Sequence, residues 1–183
     1  MRAALNIALS LGLSPERLRE AILQTYLFAG YPRAINALAA LAALLPPQKP
    51  SPALDLEADR GREREWLDRG QALCRRVYGK AYPRLLDSMA GLSPDLGRWM
   101  ILEGYGKVLS RPGLDPVTRE LAAVAALAVL RVPPQLGAHL RGCLQMGASE
   151  EMLRGILALA ALLVPEEAAG HRRLLERVLE RRR

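Results

Sequence analysis

The chain has 183 residues, half of them apolar and 4% aromatic, a composition that fits one globular unit large enough to bury a core. Two cysteines and two histidines are too few for a disulfide framework or a zinc site, so no metal is expected, and the longest apolar run, Leu121 to Leu130, falls short of the roughly 18 residues of a membrane span. The formal charge of +7 is concentrated from His171 onward, where six Arg face two Glu, and with a single Phe there is no stacking platform, so neither nucleic acid nor membrane is an expected partner.

The first residues carry helical patterning instead of a leader, which makes the cytoplasm the expected location. A helix over residues 3–11 ends at Gly12. Ser14-Pro15-Glu16 starts the next with a cap and a first-turn proline, and Leu18, Ile22, Leu23 and Tyr26 form its apolar face up to Gly30. Pro32 opens a helix over residues 33–45. Pro50 and Pro52, between Gln48 and Asp55, make that stretch a linker and the best boundary in the chain. It separates a first unit, residues 1–47, from a second, residues 56–183, with the two expected to pack together.

Beyond the linker, a polar helix is expected over residues 56–78 and another over 82–89. Ser93-Pro94-Asp95 starts a helix reaching about Ser110. Arg111-Pro112-Gly113-Leu114 reads as a turn, and Asp115-Pro116 caps an apolar helix to Leu130. Val132-Pro133-Pro134 breaks it. Helices follow over 135–146, 149–164 and 166–181, with Gly147 between the first two. β-branched and aromatic residues are scarce and no alternation occurs, so the predicted fold class is all-α.

Placing Gly12 on Gly147 aligns Ser14 with Ser149, Glu16 with Glu151, Leu18 with Leu153 and Arg19 with Arg154. Any two helix-Gly-Ser-helix units share some of this, yet a partial internal duplication explains more of it. The first copy has Ala4 where the second has His139, so only the second could carry a complete site.

The run Tyr105-Gly106-Lys107-Val108-Leu109-Ser110-Arg111-Pro112-Gly113-Leu114-Asp115, continued by Thr118-Arg119-Glu120-Leu121, resembles the segment leading into the core of the carboxymuconolactone decarboxylase family. Pro134-Gln135-Leu136-Gly137-Ala138-His139-Leu140, through Gly147 to Glu151, is similar to that family's histidine-bearing helix and the helix after it. The resemblance covers about residues 70–165. The peroxidase branch of the superfamily carries Glu, eleven residues, Cys-x-x-Cys, three residues and His. Here Glu120 and His139 keep that spacing, but the cysteine positions are Val132 and Gln135. Thiol peroxidase chemistry needs an attacking thiolate and a resolving thiol, so no redox cysteine is expected.

The resemblance therefore implies the decarboxylase branch, a lyase that uses no cofactor. Loss of carbon dioxide from a small anionic lactone or oxo acid leaves a dienolate, which needs donors and one proton. The candidate catalytic residues are His139 as proton donor and Glu120 as its orienting or shuttling partner. Arg111 and Arg119 are the candidate holders of substrate carboxylates. The bland alternative makes His139 a structural residue among Leu136, Leu140, Cys143 and Leu144, and Glu120 a first-turn carboxylate. On that alternative the protein is a non-catalytic oligomeric or ligand-binding member. The family also implies a homo-oligomer, here a dimer, trimer or hexamer.

Overall fold

A computed structural model describes residues 1–46 and 53–182, and among them every regular element is helical. The elements are α1 (Arg2–Ser10), α2 (Pro15–Gln24), α3 (Tyr26–Ala29), α4 (Tyr31–Ala42), α5 (Glu63–Tyr78), α6 (Tyr82–Leu92), α7 (Pro94–Trp99), a π-helical stretch (Met100–Leu109), α8 (Pro116–Val129), α9 (Pro133–Met146), α10 (Glu150–Ala161) and α11 (Ala168–Glu180). Most of the expected linker, residues 48–52, lies outside the described residues. Among the described residues no helix is long and apolar enough to cross a membrane.

Helix starts follow the predicted chemistry. The Ser14, Ser93 and Ser149 hydroxyls accept from the amides of Arg17, Leu96 and Met152 at 3.2, 3.3 and 3.1 Å. Asp115 accepts from the Thr118 amide at 2.9 Å and from its hydroxyl at 2.6 Å. Each satisfies an amide that the first helical turn would otherwise leave open. Gly12 and Gly147 take φ of +85° and +103°, the left-handed geometry that ends α1 and α9.

Three departures from expectation go beyond a shift of two or three residues at a helix end. Residues 56–61 form turns, and α5 begins only at Glu63, after Gly61 enters the left-handed region at φ +73°. The second helix of the chain breaks at Thr25, whose hydroxyl donates to the Ile22 carbonyl at 2.6 Å and ends α2 early. The helix expected from Pro94 to Ser110 runs as α7 into the wider π-helical stretch. That stretch lies against α5 with almost no gap, since a Cβ at Gly106 would meet the Trp66 carbonyl oxygen at 2.0 Å and one at Gly70 the Ile101 oxygen at 2.1 Å.

The largest core joins α8, α9, α10 and α11 through Val124, Leu136, Leu140, Leu153 and Leu175, all essentially removed from water. Each such leucine contributes on the order of 2 kcal/mol of transfer free energy. A second core joins α5, α6 and the π-helical stretch around Cys74, Val77 and Tyr105, and a small third core joins α1, α2 and α4 around Leu5, Leu18 and Leu41. The tight α8–α9 connection, with Arg131 at φ 59°, folds these two helices back on each other.

Candidate functional site

That hairpin creates the central contact. Glu120 stands about ten residues before the turn and His139 about eight after it, so at about 1.5 Å per residue both reach a similar height on adjacent antiparallel helices. His139 Nδ1 and Glu120 Oε2 are 2.9 Å apart, and both residues are buried. A carboxylate only accepts, so Nδ1–H is the donor, and the exchangeable position of the imidazole is Nε2. Gly142, one turn from the histidine, makes room for this pair: a Cβ there would meet Glu120 Oε2 at 2.7 Å and a Val77 methyl at 2.8 Å.

His139 lines a cleft of about 1310 Å³ whose walls come from α3, α5, α6, α7, the π-helical stretch, α9 and α11. Glu120 sits behind the ring and does not line the cleft. The Phe28 ring of α3 meets the imidazole edge-on, with centroids 5.6 Å apart and planes at 86°. Tyr26 donates to Glu103 at 2.9 Å and stacks on Tyr31, which holds α3 over the cleft. Burial raises the pKa of Tyr26, and the Glu103 carboxylate raises it further. Tyr78 and Tyr105 also line the cleft, edge to face with ring centroids 6.1 Å apart. Burial pushes both phenols up, so they stay protonated donors.

The two arginines expected to hold substrate are placed elsewhere. Arg119 is 2% exposed, and its guanidinium donates to Glu20 Oε2 at 2.8 Å, Gln24 Oε1 at 3.1 Å and the Arg111 and Pro112 carbonyls at 2.9 Å. Arg111 pairs with the same Glu20 at 2.8 Å. Neither arginine lines the cleft. Their ion pairs with Glu20, and the Gln24 side chain donating to the Arg119 carbonyl at 2.9 Å, fasten α2 to the turn before α8. Desolvation raises the Glu20 pKa, but hydrogen bonds from Arg111 and Arg119 outweigh it and hold the carboxyl below its usual range.

The cationic groups that do line the cleft are Lys80, Arg84, Arg141, Arg181 and Arg182. Sequence reasoning missed them, although the Lys80/Arg84 spacing of four residues and the basic tail were visible signals. Both thiols are fully buried, and desolvation, with the Glu120 charge adding to it, raises both; Cys74 is pushed up to about 12. A buried thiol kept protonated is a poor nucleophile.

The carboxymuconolactone decarboxylase family model matches residues 94–172, the span from α7 into α11 that contains both Glu120 and His139. The 4-carboxymuconolactone decarboxylase of Acinetobacter baylyi is 32% identical over 91 residues, covering 48% of this chain and 68% of that protein. The chain belongs to the carboxymuconolactone decarboxylase family. Longer matches join it to two other proteins, each named peroxisomal protein 2. The one from Schizosaccharomyces pombe is 36% identical over 141 residues, 75% of this chain and 63% of its own length. The one from Saccharomyces cerevisiae is 27% identical over 170 residues, 80% of this chain and 60% of its own. The chain thus spans about three fifths of the length of these two relatives. Their similarity extends beyond the family segment, over more of the chain than the decarboxylase match covers.

Proposed function

We propose that the protein is a lyase that works without a cofactor, with His139 as the proton donor at the cleft and Glu120 as the group that orients it. The observation that carries the reading is the buried Nδ1 to Oε2 contact at 2.9 Å beneath a ring that lines the cleft. It fixes the tautomer and directs Nε2 to be the proton-exchanging atom, while the carboxylate stabilises the imidazolium. The substrate carboxylate loses carbon dioxide by breaking its bond to carbon, and the electron pair enters a conjugated carbonyl. The enolate then takes one proton from Nε2–H of the protonated ring, which returns to the neutral Nδ1–H tautomer and regains its proton from water at the cleft. Tyr78, kept protonated by burial, offers its hydroxyl proton to the developing oxyanion. In this reading Lys80, Arg84 and Arg141 take over the anion-holding role first expected of Arg111 and Arg119.

The test is carbon dioxide release from a panel of carboxylated lactones and oxo acids. The wild-type chain is expected to turn over at least one of them, and His139→Ala to lose about 100-fold to 10,000-fold in kcat. Full turnover by His139→Ala removes the proton donor from the account. A second reading, a non-catalytic ligand-binding member, is favoured by Phe28 lying against the imidazole, and it predicts binding without turnover. The parallel left-handed glycines and serine caps of α1–α2 and α9–α10 support reading residues 1–47 as a partial duplicate of the second unit. The names of two relatives favour the peroxisome over the cytoplasm first expected, and imaging a fluorescent fusion decides between them.

A further inference from the structure

The cleft is polar at one end and apolar at the other. Lys80 and Arg84 lie one turn apart where α6 begins, Arg141 projects from α9, and Arg181 and Arg182 end α11. Among the described residues none of these five cations is paired with a carboxylate, and Glu103, the acidic residue of the lining, already accepts from Tyr26. Further along α6 the lining turns apolar through Leu85, Met89 and Leu92, and α7 continues it with Leu96 and Trp99. Leu92, Leu96 and Trp99 are 77%, 53% and 52% exposed. From Arg84 to Leu92 the helix rises about 12 Å. At about 1310 Å³ the cleft also exceeds the roughly 300–1,000 Å³ of most small-molecule sites.

We propose that this cleft binds an amphipathic anion: a carboxylate head held by Lys80, Arg84 and Arg141, and an apolar body laid about 12 Å along Leu85, Met89, Leu92 and Trp99. Unpaired cations at one end call for negative charge, and a small dicarboxylate would leave the exposed apolar wall in water. The head lies on the α9 side, where His139 stands, so the proposal names the substrate class of the site in the lyase reading and rests on that site being a ligand site.

Straight-chain carboxylates of four, eight and twelve carbons, used below their micelle concentrations, test it through Trp99 fluorescence and calorimetry. Each fully buried methylene is worth roughly fourfold in affinity. Because one wall is open, the expected gain from four to twelve carbons is at least about tenfold. Arg84→Glu is expected to weaken every chain length, and Leu92→Glu to flatten the dependence on length; both residues are exposed, and circular dichroism verifies that the variants fold. An alkyl trimethylammonium of twelve carbons is expected not to bind.

Affinity that does not change with chain length overturns the proposal. So does binding to anionic lipid vesicles without binding to the free carboxylates, which assigns the face to a membrane surface. Dissociation of an oligomer by Leu92→Glu, with no carboxylate binding, assigns it to a second copy and also overturns it. Length-dependent binding with no carbon dioxide release from any substrate sustains this proposal and ends the lyase reading. Turnover of a small lactone with flat length dependence does the reverse.

Discussion

At the scale of single residues the chemistry depends on where two carboxylates find their partners. Glu120 orients His139, and Gly142 leaves the space it occupies. Gly142→Ala is therefore expected to displace the carboxylate and reduce kcat at least about tenfold, although alanine is the better helix former by about 1 kcal/mol. Unchanged kcat with raised stability would show that the carboxylate position is unimportant. Glu20 has the other role. Its folded pKa lies below the usual 4.5, so its stabilising contribution is complete above that value and is lost as pH falls through the lower folded value. Urea midpoints between pH 6 and 3 are expected to fall more steeply for wild type than for Glu20→Gln, and parallel curves would contradict the assignment. At neutral pH Glu20→Ala leaves Arg119 buried without its carboxylate, at a cost of about 3 kcal/mol.

Among elements, the closest packing is α5 against the π-helical stretch. Gly106→Ala puts a methyl 2.0 Å from the Trp66 carbonyl oxygen, and backbone cannot swing aside as a side chain does. The expected loss is about 3 kcal/mol or more by urea denaturation, at the upper end of overpacking costs; a loss under about 0.5 kcal/mol would mean the two helices slide apart freely. The caps at Ser14, Ser93, Asp115 and Ser149 were legible because a short polar side chain before a proline or an acidic turn has a local purpose. The Thr25 bond back to Ile22 was not legible, because threonine makes the same bond inside unbroken helices, and the widening into the π-helical stretch after Trp99 was not, because it depends on the close approach of α5. The same holds for the cleft. The Glu120 and His139 pair was legible through its spacing, which matches the pattern of the resembled family, but nothing local to Arg111 or Arg119 reveals that Glu20, about 90 or more positions away, arrives to claim them. Nor does local sequence show that Lys80, Arg84 and Arg141 face one space.

In the molecule as a whole, the N-terminal helices contribute directly to the site. Leu27 and Phe28 come from α3, and the α2 contacts through Glu20 and Gln24 keep that segment in place. The proposed assembly into a homo-oligomer draws on exposed apolar side chains remote from the cleft: Leu159, Leu162 and Leu163 at the end of α10 are 61%, 78% and 72% exposed. Light scattering is expected to give a dimer, trimer or hexamer for wild type and a smaller species for Leu162→Glu, and a wild-type monomer would contradict the assembly. The most direct test of the central claim is carbon dioxide release from carboxylated lactones by wild type, Glu120→Gln and His139→Ala, each verified as folded. The account predicts turnover by wild type, about 10-fold to 100-fold less from Glu120→Gln, and the largest loss from His139→Ala. Equal rates from all three proteins would contradict it.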